Sequence, residues 1–129
     1  MLQINAVHHI AIICSDYGRS KAFYTDVLGL TVIREIHREE RQSYKLDLAL
    51  NGEYLIELFS FPTPPERVSR PEATGLRHLA FEVNKLDAAV EALTAKNVSV
   101  EPIRTDKTTG KRFTFFVDPD DLPIELYEL

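Results

Sequence analysis

Four residues of this sequence have types and spacing suited to holding a metal ion: His9, Glu57, His78 and Glu125. Neutral imidazoles and carboxylates together suit a divalent cation of borderline hardness, Zn²⁺ or Ni²⁺ ahead of Fe²⁺, Mn²⁺ or Co²⁺, one per site. Two carboxylates facing each other without a cation repel, and one of them stays protonated; a divalent ion removes that conflict and leaves a neutral centre. With four protein ligands, open positions remain only in five- or six-coordination. Such positions take water, or the oxygens of a substrate carbonyl or enediolate, and the ion then acts as a Lewis acid toward negative charge on oxygen. Glu57 or Glu125, loosened from the ion, can accept a proton from the carbon next to the carbonyl. Both are candidate catalytic residues as well as ligands.

An internal repeat groups the four. HIAIICS at 9–15 aligns with HLAFEVN at 78–84, and YLIELF at 54–59 aligns with LPIELY at 122–127, at offsets of 69 and 68. His9 thus matches His78 and Glu57 matches Glu125, with His-to-Glu separations of 48 and 47 residues. A single Glu in such a strand more often faces water, and a single His is more often a hydrogen-bonded core residue. Shared order, spacing and identity at both ends couple them. Alternation along a strand supports the coupling. Ile10, Ile12 and Cys14 lie opposite His9, and Leu79, Phe81 and Val83 lie opposite His78. Ile56 and Leu58 point away from Glu57, as Ile124 and Leu126 do from Glu125. Each half then has one apolar face for its helix and one polar face that carries the candidate ligands.

The elements that must position them also repeat. Residues 7–15 read as a strand, Asp16 as the cap of a helix ending at Gly29, and 30–38, 43–50 and 54–60 as strands, with Asn51-Gly52 a two-residue hairpin turn. Residues 61–76 hold four of the seven prolines and read as a linker. Then come a strand at 77–83, a helix at 85–96 with Leu86, Ala89, Val90 and Leu93 on one side, and strands at 98–104, 111–117 and 122–128. The expected fold is α+β: one domain, 1–129, of two βαβββ modules at about 6–60 and 77–129.

The chain of 129 residues, 44% apolar and 27% charged, has the composition of a soluble globular protein. Its net charge of -5 argues against nucleic acid as a partner. No apolar run approaches the roughly 18 residues of a membrane span, and the N-terminus does not read as a signal peptide. The lone Cys14 excludes an internal disulfide. A cytoplasmic location is the expectation. Among other residues, His8 is expected to point away from His9, His37 to be solvated, and Cys14 to be core. Tyr44 and Phe61 are candidates to line the cavity, and Lys111 and Arg112 to meet an anionic substrate group.

The segments VHHIAII, SKAFYTDVLGL, YLIELFSF, LRHLAFEV and DPDDLPIELYEL resemble the vicinal oxygen chelate superfamily, which includes glyoxalase I, methylmalonyl-CoA epimerase, fosfomycin-resistance transferases, extradiol dioxygenases and bleomycin-binding proteins. The chain is similar to a YaeR-like branch of small glyoxalase-related proteins. The resemblance implies paired βαβββ modules forming a cupped sheet, and frequent homodimers, with sites either within one chain or shared between chains. It places His9, Glu57, His78 and Glu125 on the family's ligand positions, in the two-His, two-Glu pattern most similar to glyoxalase I. It also implies a departure: an arginine and an asparagine that hold glutathione in bacterial glyoxalase I correspond here to Ile13 and Phe61. The expectation is a metal-dependent lyase or isomerase acting on a small α-oxo carbonyl compound or its thiol adduct. The alternatives are a non-catalytic protein that sequesters a small molecule or drug, and an Fe-dependent ring-cleaving dioxygenase.

Overall fold

Asp16 begins the first helix as its sequence indicates: its carboxylate accepts a 3.0 Å bond from the Arg19 N–H. In the computed structural model, which describes all 129 residues, this helix is α1, Tyr17–Ala22, and it runs on into a π-helical turn, Phe23–Val27. The turn ends at Gly29, whose φ of 76° is open to a residue without a Cβ. The strand before it is β1, Ile10–Cys14, and those after it are β2, Thr31–Arg38, β3, Ser43–Leu50, and β4, Glu53–Ser60. They form a mixed sheet in the order β1-β4-β3-β2, with β1 parallel to β4.

The chain folds as two compact units, Met1–Glu66 and Arg67–Leu129. The second repeats the plan of the first: β5 (Leu79–Val83), α2 (Leu86–Ala95), β6 (Arg104–Thr105), β7 (Arg112–Val117) and β8 (Pro123–Glu128), in the sheet order β5-β8-β7-β6. Each unit is therefore strand, helix, three strands, and the class is α+β. No helix is long and apolar enough to cross a membrane.

Side-chain alternation sorts each sheet into two faces. In the first unit Cys14, Tyr24, Leu46, Leu48, Ile56 and Leu58 are buried; in the second, Leu79, Leu86, Leu93, Phe116, Ile124 and Leu126 are. Each such Leu or Ile contributes roughly 1.5–3 kcal/mol by leaving water. The strand residues among them share the faces expected to meet the helices, which leaves Glu57 and Glu125 on the others.

Two turns set the registers around the glutamates. Asn51 and Gly52 both take positive φ, 51° and 84°, as a tight hairpin needs. Leu50 pairs with Glu53 and Ala49 with Tyr54, and a bulge then moves the pairing by one residue, so that Asp47 faces Glu57. In the second unit, Asp118 Oδ1 accepts from the N–H groups of Asp120 and Leu122, both at 2.9 Å, and closes the turn from β7 to β8.

One strand is shorter than expected. The 98–104 segment enters the ladder only at Arg104. Pro102 has no N–H to donate, and the Glu101 N–H makes an isolated 3.0 Å bond to the Phe115 carbonyl. Strands β1 and β5 also start later than expected, so His9 and His78 each stand one residue ahead of their strand.

Candidate functional site

The parallel pairings β1–β4 and β5–β8 build the same arrangement twice. Ala11 faces Glu57 and Ala80 faces Glu125. Each alanine leaves the space beside its glutamate open, and the histidine two residues earlier, on the same face, fills it. His9 Nε2 lies 3.4 Å from Glu57 Oε1, and His78 Nε2 lies 3.4 Å from Glu125 Oε1. Nitrogen and oxygen donors bound tetrahedrally to Zn²⁺ at ordinary bond lengths stand about 3.4 Å apart. Each pair thus fits two adjacent ligand positions of a divalent cation. The structure brings the four sequence-derived residues together as two pairs, one in each unit. Within either unit, no group of three or more His, Cys, Asp or Glu side chains forms a metal-ligand cluster.

The second ring nitrogens are engaged differently. His9 Nδ1 is 2.8 Å from His8 Nδ1, so one ring donates to the other. When His9 is the donor, its Nε2 lone pair is free to bind a cation. His78 Nδ1 is 3.0 Å from Arg77 Nη1. A guanidinium only donates, so this His78 Nδ1 accepts, and the proton of the neutral ring sits on Nε2, toward Glu125.

The two glutamates also have unlike surroundings. Opposite Glu57 is Asp47, a fully buried carboxylate. It accepts from Arg34 Nε at 2.5 Å, from Lys45 Nζ at 3.0 Å on each oxygen, and from the Tyr54 hydroxyl at 2.7 Å. Burial pushes its pKa upward, and the bonds from Arg34, Tyr54 and Lys45 outweigh that and hold it below the ordinary carboxylate value. Burial and then the bond to Asp47 push the Tyr54 phenol well above its ordinary range. Lys45 Nζ also lies 3.3 Å from Glu57 Oε2, and the Tyr54 ring stacks on His9 at 5.1 Å, 10° from parallel. Opposite Glu125 the corresponding residue is Phe115, which meets His78 edge to face at 5.1 Å. Phe113 and Arg104 flank it, the guanidinium 5.0 Å from the Phe113 ring. One pair is set in charge, the other against aromatic rings.

Lys45, Asp47, Tyr54, Arg77 and Phe115 were not singled out from sequence. The signal for two of them was Lys45 and Asp47 at alternate positions of SYKLDLAL, the same side of one strand. Three other expectations are corrected. His8 does not point away from the site residue, because both histidine rings pack against Tyr54. Tyr44 leaves the Glu57 side altogether: it stacks on Tyr17 at 4.3 Å and meets the exposed His37, since it alternates with Lys45 along β3. Arg112 is engaged by Asp87 and Glu128, at 2.9 Å each, so it is not a free anion-binding group. Cys14 is core. Phe61 stacks on Phe59, which follows Glu57 on the same face. Arg38 lies over the Phe59 ring at 5.3 Å, and its Nε and Nη2 are buried without a hydrogen-bond partner.

The sequence profile of the Glyoxalase/Bleomycin resistance protein/Dioxygenase superfamily matches residues 6–126. The YaeR protein of Escherichia coli (strain K12) is 66% identical over 128 residues, covering 99% of both chains. A lactoylglutathione lyase of Salmonella typhimurium is 33% identical over 130 residues, covering 93% of this chain and 90% of the enzyme. The crystal structure of a glyoxalase family protein from Enterococcus faecalis, 47% identical, superposes with a TM-score of 0.89 over 95% of this chain and 97% of its own. The chain belongs to this superfamily, the vicinal oxygen chelate fold, and stands close to YaeR within it.

Proposed function

We propose that this member of the vicinal oxygen chelate superfamily is a metal-dependent lyase or isomerase acting on a small α-oxo carbonyl compound or its thiol adduct, with His9, Glu57, His78 and Glu125 as the ligands of one divalent cation. The observation that carries the reading is the duplicated pair: the same imidazole and carboxylate atoms at the same 3.4 Å in both units. The reading requires the two units to act together as one domain, within one chain or between chains of a homodimer. A homodimer is part of the reading.

A divalent cation held there supplies a Lewis acid that offsets negative charge developing on a substrate oxygen. The protein's own groups do the rest. Glu125 Oε2 is free of the contact to His78 and can accept a proton from the carbon beside the carbonyl; Glu57, with Oε2 turned to Lys45, is the more restrained of the two. Phe113 and Phe115 limit water on the Glu125 side. The 33% identical lactoylglutathione lyase supports the reaction class. Zn²⁺ or Ni²⁺ suits the donor set best. A cytoplasmic location accompanies the reading.

Elemental analysis of protein purified without chelators, followed by assays of methylglyoxal with a panel of thiols, tests it. One metal ion per site, turnover of an α-oxo substrate, and loss of both in Glu125→Gln are expected. Stoichiometric metal with no turnover of any such compound would overturn the catalytic part. A second reading is then favoured: Ile13, 55% exposed on the Glu57 side of the sheet, and Phe61 add apolar surface beside the charged groups, which suits a protein that sequesters a small molecule.

A further inference from the structure

Lys45 is a competitor at the candidate centre. Its ammonium, 3.3 Å from Glu57 Oε2, places a positive charge against the same carboxylate that a cation would need. Asp47 holds that ammonium more closely, with both oxygens at 3.0 Å. Glu57 Oε1 is thereby left to face His9. The same Asp47 carboxylate accepts the Tyr54 hydroxyl at 2.7 Å, and the Tyr54 ring lies flat on the His9 imidazole. Asp47 therefore reaches both ligands of the first unit through one intermediary each, touching neither. The second unit has no such device. The position opposite Glu125 is Phe115, which supports His78 by direct contact, and the ion-pair partner of Glu125 is His78.

We propose that Asp47 is a positioning residue: by holding Lys45 it keeps Glu57 available to a divalent cation, and by holding Tyr54 it keeps the His9 ring in place. The proposal rests on the metal reading above. Without Asp47, the ammonium of Lys45 turns wholly to Glu57, and the positive charges of Lys45 and Arg34 stand uncompensated beside an incoming cation. Both effects weaken metal binding.

The test is calorimetric titration of metal-free protein with Zn²⁺, with chelator competition for the tighter variants and melting curves to confirm folding. Asp47→Asn is expected to bind Zn²⁺ about 10–100-fold more weakly, the range typical of groups that orient metal ligands. Lys45→Met, which removes the competitor, is expected to bind more tightly than the wild type. The double variant Asp47→Asn/Lys45→Met is expected to recover most of the loss of Asp47→Asn, a coupling between the sites of opposite sign to simple damage. Tyr54→Phe keeps the stacked ring and loses the hydroxyl, and is expected to lose a smaller factor than Asp47→Asn. A merely structural Asp47 would instead lower the melting temperature of both Asp47 variants and leave affinity per folded molecule unchanged. Unchanged affinity in Asp47→Asn, or no recovery in the double variant, overturns the proposal while a metal-binding wild type preserves the centre. A wild type that takes up no Zn²⁺, Ni²⁺, Co²⁺, Mn²⁺ or Fe²⁺ overturns both. Should Asp47→Asn fail to fold, Lys45→Met and Tyr54→Phe still decide, and affinities equal to the wild type in both overturn the proposal.

Discussion

Arg77 donates to His78 Nδ1, and that single bond sets which ring nitrogen carries the proton. The proton sits on Nε2, the atom that faces Glu125 and that a cation would need. Arg77 is an exposed side chain, 59% open to solvent and also paired with Glu72, so it can turn away at little cost. Arg77→Ala removes both the donor and a nearby positive charge. It is expected to tighten Zn²⁺ binding by a few-fold, less than the ~10-fold lower end for outer groups that orient ligands, as read by chelator competition. Weaker binding in Arg77→Ala would show that the guanidinium helps the histidine. His9 has a different partner in His8, which can accept as well as donate. The two imidazoles are thus alike in position and unlike in what governs their tautomer.

Among the elements, α2 shows support arriving from another part of the chain. Lys85 at its N-terminus makes no side-chain cap, and the Leu86 N–H donates instead to Glu128 Oε2 of β8, at 2.9 Å. Arg112 of β7 holds the same carboxylate and Asp87. The Arg112 bonds first, and the Leu86 N–H next, lower the Glu128 pKa from its ordinary 4.5. A lowered folded-state pKa adds stability above the unfolded-state value, and that stability disappears as pH falls through the folded-state value. Glu128→Gln is therefore expected to melt below the wild type at neutral pH, with the two curves converging as the pH drops well below 4.5. A gap that persists in acid would place the effect in packing. The short β6 belongs to this scale as well: the alternation of 98–104 resembles a strand, and the missing N–H of Pro102 limits the ladder to Arg104–Thr105.

For the whole molecule, a metal ion bound by residues of both units would link their stabilities. A ligand that binds only the folded state adds about 2.7 kcal/mol at one hundred times its dissociation constant. Chelator treatment is accordingly expected to lower the melting temperature, and added Zn²⁺ to restore it. Light scattering with and without Zn²⁺ reports whether chains associate when the ion binds. Glu125→Gln is expected to show no Zn²⁺-dependent rise in melting temperature, and a full rise in that variant would remove Glu125 from the ligand set.

The repeat, the four candidate ligands, the sorting of apolar residues to one face and the Asn51-Gly52 hairpin were all legible in the sequence. Each is a local signal: an identity, a period of two, or a turn that needs positive φ. The surroundings of the candidate ligands were not legible, because they depend on register between strands. A hairpin at Asn51-Gly52 without irregularity pairs Asp47 with Ile56; the bulge beside Ala49 and Leu48 moves it opposite Glu57. That one-residue change brings Asp47, Lys45 and Tyr54 to the His9–Glu57 pair, while Phe115 takes the corresponding place beside His78 and Glu125. A bulge arises from how two twisted strands pair, and neither strand carries a mark of it alone. The candidate residues and their pairing by repeat are read from local sequence signals; only the folded register sets a buried carboxylate beside one pair and an aromatic wall beside the other.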